Sequence, residues 1–389
     1  MANSKYQKII NSYALLEILY RGPTSRKSLA EELNLQPSTV FYTIDRLREL
    51  GLVKEKKSIG NDNFTPGRKS KNIYINPEAG LVFGVDLKIN HYQLTIVRMD
   101  GSVYLQTENN FDTPEINEAV GTKERLIQCL NYIVKIVKQK CNGFTIRGGC
   151  ISIPGLVDST GLRIINSWSF GVKDFDASPY LENQGFPFYM ENDANCCAFK
   201  YCKSKTDSFI YVLINKYSSQ DLPLDIPIFG IGSGIVLNGK VWRGSTSKAG
   251  EFYSAYYHGN DPKRYLDTPN DILTNLDSNP EEQTQFLTEL LSNLKTADTL
   301  INPDIIYLSG EIEKWSDNVN EILRNNDKSF WLTKNGSTTS FLKILNNTKH
   351  DTCEGAAILM LKFLYHIPYF SNASTSWEDI ASPLLDGLD

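Results

Sequence analysis

The sequence predicts a small winged-helix unit at the N-terminus and, behind it, a larger α/β body. Three observations carry this. Within residues 1–78, short amphipathic helices joined by a tight turn are followed by a basic hairpin, which is the order of a helix-turn-helix with a wing. After Asn76-Pro77 the pattern changes to buried strands that alternate with helices, the mark of an α/β layer architecture. The chain of 389 residues also exceeds what one hydrophobic core usually organises, so two or three cooperating units are expected.

In the head, Ile9, Ile10, Tyr13, Leu16, Leu19 and Tyr20 recur at helical spacing over residues 6–20, and Gly22-Pro23 stops that helix. Thr24 or Ser25 caps a second helix over 26–33, with Leu29, Ala30 and Leu33 inward, and Asn34-Leu35-Gln36 turns the chain. Pro37-Ser38 opens a third helix that ends by Gly51, with Val40, Ile44 and Leu47 on one stripe. Its outward side is read as Ser38, Thr39, Tyr42, Thr43 and Arg46, donors and acceptors suited to base edges and phosphates in the major groove of double-stranded DNA. Residues 52–56 and 72–75 read as two strands joined by a polar wing. Beside Gly67, Arg68 and Lys69 are placed to reach a minor groove or the backbone. The alternative is a three-helix unit built for protein contact.

In the body, strands are predicted over 81–87, 92–97 and 103–107, with a turn at Asp100-Gly101, then an amphipathic helix over 123–140 and a strand over 148–153 that ends at Pro154-Gly155. The apolar run 186–190 delivers Glu191-Asn192-Asp193-Ala194-Asn195 to a strand end, where clustered donors and acceptors suit sugar hydroxyls.

Hydrophobic residues at 41% and charged residues at 22% are ordinary for a globular protein and argue against extensive disorder. The first eight residues are polar and charged, and no apolar run reaches the roughly 18–20 residues of a membrane helix, so a cytoplasmic protein is expected. The seven cysteines are scattered without a CxxC pair, which fits buried thiols in a reducing compartment. The net charge of -5 hides an asymmetry: residues 1–80 carry 13 Lys and Arg against 8 Asp and Glu, and the remainder 27 against 37. A basic head on an acidic body fits a head that approaches phosphates.

Several motifs of the body occur together in one order: Gly84-Val85-Asp86, Ile153-Pro154-Gly155-Leu156-Val157-Asp158, Glu191-Asn192-Asp193-Ala194-Asn195, the run from Gly230 to Lys240, Ala249-Gly250-Glu251, and the run from Asn302 to Gly310. With them the chain resembles the ROK family, which groups sugar-responsive repressors with sugar kinases. A winged helix in front is similar to the repressor branch. The resemblance implies an actin-like, two-lobed α/β fold (sugar kinase/Hsp70-like): winged helix over 1–78, a first lobe over 79–190 to which a helix near 352–370 returns, a second lobe over 191–351, and a tail over 371–389. It further implies that Asp193 matches the base of the kinases and that Asn192 and Glu251 match residues that help bind sugar.

The same resemblance makes the departures informative. The family's Gly-Gly-Thr-Lys after the position of Asp86 reads Lys88-Ile89-Asn90-His91 here, side chains that crowd the backbone approach a phosphate needs. The second phosphate loop keeps Gly230, Gly232 and Gly234, read here as a tight turn between strands, but has Phe229 where the family has Thr. Ser254 stands at the position of the family's zinc-binding His, and no Cys lies between Cys202 and Cys353, so no zinc is expected. The expectation is therefore a non-enzymatic regulator without cofactor. Two partners are expected: operator DNA, and a sugar or sugar phosphate bound between the lobes near Asn166, Asn192, Asp193 and Glu251. Paired half-sites call for a homodimer or a dimer of dimers. An active ROK kinase with an accessory head, and a DNA-binding scaffold with an empty cleft, are the alternatives.

Overall fold

The computed structural model describes residues 2–57, 71–111, 116, 123–217, 229–260, 264–325 and 342–366. The head consists of α1 (Ala2–Arg21), β1 (Thr24–Ser25), α2 (Arg26–Leu33), α3 (Pro37–Glu49), β2 (Val53–Lys57) and β3 (Lys71–Ile75), with strand order β1-β3-β2. Local chemistry sets the boundaries. The Ser25 hydroxyl accepts from the Ser28 amide at the start of α2, Asn34 closes that helix in the left-handed conformation, and Pro37 occupies the first turn of α3, a position where its missing N–H costs nothing. Leu16, Leu29, Val40, Ile44, Leu47 and Ile73 make the head's core. Arg26 ties the pieces together, pairing with Asp45 of α3 at 3.1 Å and Glu55 of β2 at 2.6 Å. Arg68 and Lys69 fall in 58–70, and the tail in 367–389, both outside the described residues.

The body holds two sheets built on one plan. In the first, β4 (Leu81–Leu87), β5 (His91–Arg98) and β6 (Val103–Asn110) form an antiparallel meander, to which β7 (Ile146–Ile153) and β11 (Phe188–Asn192) add in parallel, giving the order β11-β7-β4-β5-β6. Helix α4 (Lys123–Lys140) covers one face through Leu126, Leu130, Ile133 and Val137. A small antiparallel sheet of β8 (Leu156–Val157), β9 (Arg163–Ser167) and β10 (Val172–Asp176), followed by the short α5 (Ser178–Leu181), is inserted before β11.

In the second sheet β12 (Phe209–Lys216), β13 (Phe229–Leu237) and β14 (Lys240–Val241) are antiparallel, and β15 (Ile305–Gly310) and β16 (Leu342–Ile344) add in parallel, in the order β14-β13-β12-β15-β16. Besides α6 (Asp193–Tyr201), this lobe has α7 (Asn270–Asn275), α8 (Pro280–Ile301) and α9 (Ser316–Asn325). It buries a core of its own around Phe229, Phe286, Leu290 and Trp315.

The lobes meet through two helices. Helix α6 packs on β12 and β13 of the second sheet, and α10 (Asp351–Tyr365) packs on β4, β5 and β7 of the first. The two helices lie against each other, and a Cβ on Gly355 would stand 1.8 Å from the Cys196 carbonyl oxygen, an approach that only glycine permits. The far side of α10 carries the head. Helix α1 packs on α10, and Leu361, Leu364 and Tyr365 share one continuous core with Tyr13, Leu16 and Leu19. The rings of Tyr20 and Tyr365 are 5.1 Å apart, and Glu17 of α1 reaches Lys205, just beyond α6, at 2.8 Å. This explains why Leu15 and Ile18 are buried in addition to the single face that the spacing of α1 suggests. Replacing Gly355 by Ala is expected to force α6 and α10 apart and to cost about 1–3 kcal/mol; urea denaturation of the full chain reads the loss, and a variant as stable as the parent refutes the close-contact account.

Candidate ligand site and DNA-reading face

The site opens between the two sheets, where β4 and β11 end and α6 begins. Asp86 is the penultimate residue of β4, the chain turns just after Leu87, and the turn is fixed by Lys88 N–H donating to the His91 carbonyl at 3.0 Å. From behind, the fully buried Arg125 of α4 donates to the Ile89 carbonyl, at 3.0 Å from Nε, and to Asn90 Oδ1 at 3.0 Å. The turn thus projects Lys88 into the cleft, 14% exposed, with its Nζ 3.3 Å from Asp86 and 3.5 Å from Asp193. Burial works against the Lys88 charge, but Asp86, Asp193 and nearby Tyr217 more than offset it and hold the ammonium protonated well above the ordinary lysine range. Burial pushes the Asp193 carboxyl up, Lys88 pulls it back in part, and Asp86 adds to the rise. Asp193 is further engaged by the Ala194 amide at 2.9 Å and Asn215 Nδ2 at 3.3 Å.

Gly230, Gly232 and Gly234 do not form the tight turn that their spacing suggests; they lie within β13, in register with Asn215, Leu213 and Tyr211. The physical reason for glycine is close approach from one side. A Cβ on Gly234 would meet the Ala194 carbonyl oxygen of α6 at 2.5 Å, and one on Gly230 would meet the Tyr217 hydroxyl at 2.8 Å. Phe229 is buried in the lobe core against Phe286 and Trp315.

The cavity between the lobes, about 150 Å³, is lined by Asn192, Asp193, Asn215, Glu251 and Ser169 together with Trp168, Tyr217, Phe252, Tyr253 and Tyr265. Asn192 has two roles: its Oδ1 caps α6 by accepting from the Asn195 amide at 3.1 Å, and its Nδ2 donates to the Gly155 carbonyl at 3.0 Å. One N–H and one lone pair remain for a ligand. Glu251 stands at the exposed side; burial of its carboxyl and the neighbouring Asp193 raise its pKa, and Lys248 pulls it back in part. Asn166 is not part of the lining; it sits on β9 opposite Leu156 and Lys173, and the turn after it brings Trp168 and Ser169 to the cavity instead. Beneath the site, Glu191 is buried and held by Arg243, whose Nε lies at 2.8 Å, and by Asn195 at 3.0 Å.

The segment that zinc organises in the resembling kinases is held differently. Ser254 Oγ accepts from Asn293 of α8 at 3.2 Å, and Asn293 in turn accepts from the Ala255 amide at 2.8 Å. The Glu289 carboxylate caps the Asp267 and Thr268 amides at 2.7 and 2.8 Å. Among the described residues no three His, Cys, Asp or Glu side chains gather as a metal ion needs, so the donor set does not fit zinc.

Residues 82–262 match the profile of the ROK family, and residues 10–54 that of a winged helix-turn-helix DNA-binding unit. The chain carries a ROK family domain behind a winged helix-turn-helix. The xylose repressor of Bacillus subtilis (strain 168) is 27% identical over 271 residues, 68% of this chain and 64% of that protein. The chain thus spans a little under two thirds of the length of that relative. The xylose repressor of Staphylococcus xylosus is 23% identical over 384 residues, 90% of this chain and 93% of that one. Among solved structures, a ROK family transcriptional regulator described as a homolog of the E. coli MLC protein superposes with a TM-score of 0.69 at 17% identity, covering 92% of this chain and 96% of the other. That likeness shows the shared fold.

Ahead of the ROK domain, α3 turns Ser38 and Tyr42 outward, Tyr42 being 72% exposed, and leaves Thr39 and Arg46 half-buried. Thr43 departs from the outward position expected of it: it is buried, and its hydroxyl donates to the Thr39 carbonyl at 2.8 Å. Helical spacing puts it beside Val40, Ile44 and Leu47, where its methyl packs and its hydroxyl is satisfied within the helix. Sequence reasoning misses Phe41, exposed beside Tyr42 with the Arg26 guanidinium 4.6 Å from its ring. It also misses the counter-ion role of Lys88, because the residue that Lys88 faces across the cleft, Asp193, is more than 100 positions away. No described helix is long and apolar enough to cross a membrane.

Replacing Lys88 by Met leaves two buried carboxylates without a counter-charge and is expected to cost about 3–5 kcal/mol near neutral pH. In that variant the burial that raises the Asp193 carboxyl is no longer opposed by the ammonium, so its cost grows as pH rises and shrinks as pH falls toward about 5. Urea denaturation at the two pH values reads the difference, and parental stability near neutral pH sinks the account.

Proposed function

We propose that this chain is a sugar-responsive, DNA-binding transcriptional repressor that does not phosphorylate its ligand and acts in the cytoplasm. The observation that carries the non-enzymatic half is the position of Lys88. Phosphoryl transfer needs open space and donors for the phosphates, and a carboxylate free to take the proton of the attacked hydroxyl. Here an internal ammonium sits against both Asp86 and Asp193, and the glycines of β13 serve strand packing. The regulatory half is supported by the winged head, by Tyr42 and Arg46 on its third helix, and by relatives named as xylose repressors.

The path from cavity to head is short. Asn192 and Asp193 at the cavity cap and open α6, α6 packs on α10, and α10 packs on α1. A ligand that touches Asn192 and Asp193 on one side and Glu251 or Tyr253 on the other favours one lobe spacing over others by its differential affinity. That spacing is passed to the head through α10 and through the Glu17–Lys205 pair. Two copies reading two half-sites turn a change of head position into a change of operator affinity.

The test starts from DNA that the pure protein selects from a random pool. Tyr42→Ala and Arg46→Ala are each expected to weaken binding about tenfold to a hundredfold, measured by fluorescence anisotropy. Free sugars are expected to change the affinity of the parent protein, and no sugar is expected to be phosphorylated with ATP and Mg²⁺. ATP-dependent phosphorylation abolished by Asp193→Ala would establish the kinase instead, and DNA binding that no sugar alters would leave a scaffold.

A further inference from the structure

Building on the proposal that the cavity is a sugar site, we infer that its ligand is an unphosphorylated disaccharide or glycoside, with one sugar ring on the polar floor and a second ring against Trp168.

The charge of the site disfavours a phosphate ester. The ionisable carboxylates in the lining are Asp193 and Glu251. The nearest cation to the floor, Lys88, already faces two carboxylates, and Arg243 is engaged by Glu191. Lys248, exposed beyond Glu251, is not part of the lining. The backbone around Gly230 and Gly232 is paired in the sheet and is not arranged as an anion-binding nest. Among the described residues the cavity lining therefore offers a phosphate dianion two carboxylates and no cation, Lys248 acting on Glu251 from outside it, so a phosphate is disfavoured. Neutral hydroxyls match the same groups well, because Asn192 and Asn215 donate while Asp193 and Glu251 accept.

The size of the ligand follows from the gradient of burial. Asp193 and Ser169 at the floor are each 6% exposed, whereas Trp168 is 56% and Tyr253 71% exposed. Trp168 is held out by a tight turn, with Gly171 N–H donating to its carbonyl at 3.0 Å, and its neighbour Ser167 is anchored to the Pro154 carbonyl at 2.7 Å. Tyr253 comes from the opposite lobe, beside Glu251. Two large aromatic rings are thus left exposed at the mouth of the pocket. A sugar ring seated on the floor uses the buried polar groups, and a second ring at the mouth presents the exposed aromatics with the apolar C–H face on which sugars stack.

Isothermal titration calorimetry of the full chain tests this with matched probes: xylose and xylobiose, glucose with cellobiose and maltose, N-acetylglucosamine and chitobiose, and the 6-phosphates of glucose and N-acetylglucosamine. The expected result is that one disaccharide binds about tenfold tighter than its monosaccharide, with each 6-phosphate more than about a hundredfold weaker than the free sugar. Trp168→Ala is expected to erase the advantage of the disaccharide, and Trp242→Ala, also exposed but outside the lining, to keep it. A 6-phosphate that binds as well as its free sugar overturns the inference, as does a monosaccharide that binds as well as its disaccharide in parent and Trp168→Ala alike. Absence of binding by every probe overturns the sugar-site reading itself.

Discussion

The contact between α6 and α10 is the constraint on which the rest of the molecule depends. Each helix belongs to a different sheet, and they meet at a backbone distance that Gly355 alone allows. A packed contact of this kind does not deform continuously and tolerates only a small number of arrangements. One end of the pair is the cavity, through Asn192 and Asp193, and the other is the head, through the core that Leu361 and Tyr365 share with α1.

The second organising feature is electrostatic. Asp86 and Asp193 stand at the ends of elements from different parts of the chain, and both would be costly to bury as lone charges. Lys88 supplies the missing charge from within the chain, and Arg125 holds the turn that delivers it. Lys88 thereby fills the space between the two carboxylates. The pocket that remains lies beside this knot, with a polar floor and an aromatic rim.

Much of this is legible in the sequence. The helices over 26–33 and 123–140 and the strand over 81–87 coincide with α2, α4 and β4, because their apolar spacing is strong and their ends carry caps or turn residues. Of the polar run from Glu191 to Asn195, Asn192 and Asp193 reach the cavity at the strand end, whereas Glu191 and Asn195 are buried against each other beneath it. Less is legible where one pattern allows two outcomes. The spacing of Gly230, Gly232 and Gly234 fits a turn as well as a strand whose one face meets a helix, and only the position of α6 decides between them. Thr43 carries a hydroxyl that suits a DNA contact, yet its place in the helical period puts it inside. Asn166 is polar and near the cleft in sequence, but the β9–β10 turn presents Trp168 and Ser169 instead.

The sequence by itself determined the order of units, the helix-turn-helix with its caps, the strands of the first sheet and the motifs of a ROK domain, because these rest on periodicity, turn chemistry and short-range spacing. Tertiary structure decided what those spacings cannot encode: that Lys88 neutralises Asp193 across the cleft, that Glu191 is gripped by Arg243, and that α1 is clamped on α10. Each of these joins residues from separate elements, and such pairings follow from how the sheets and helices pack in space, which no local pattern along the chain specifies.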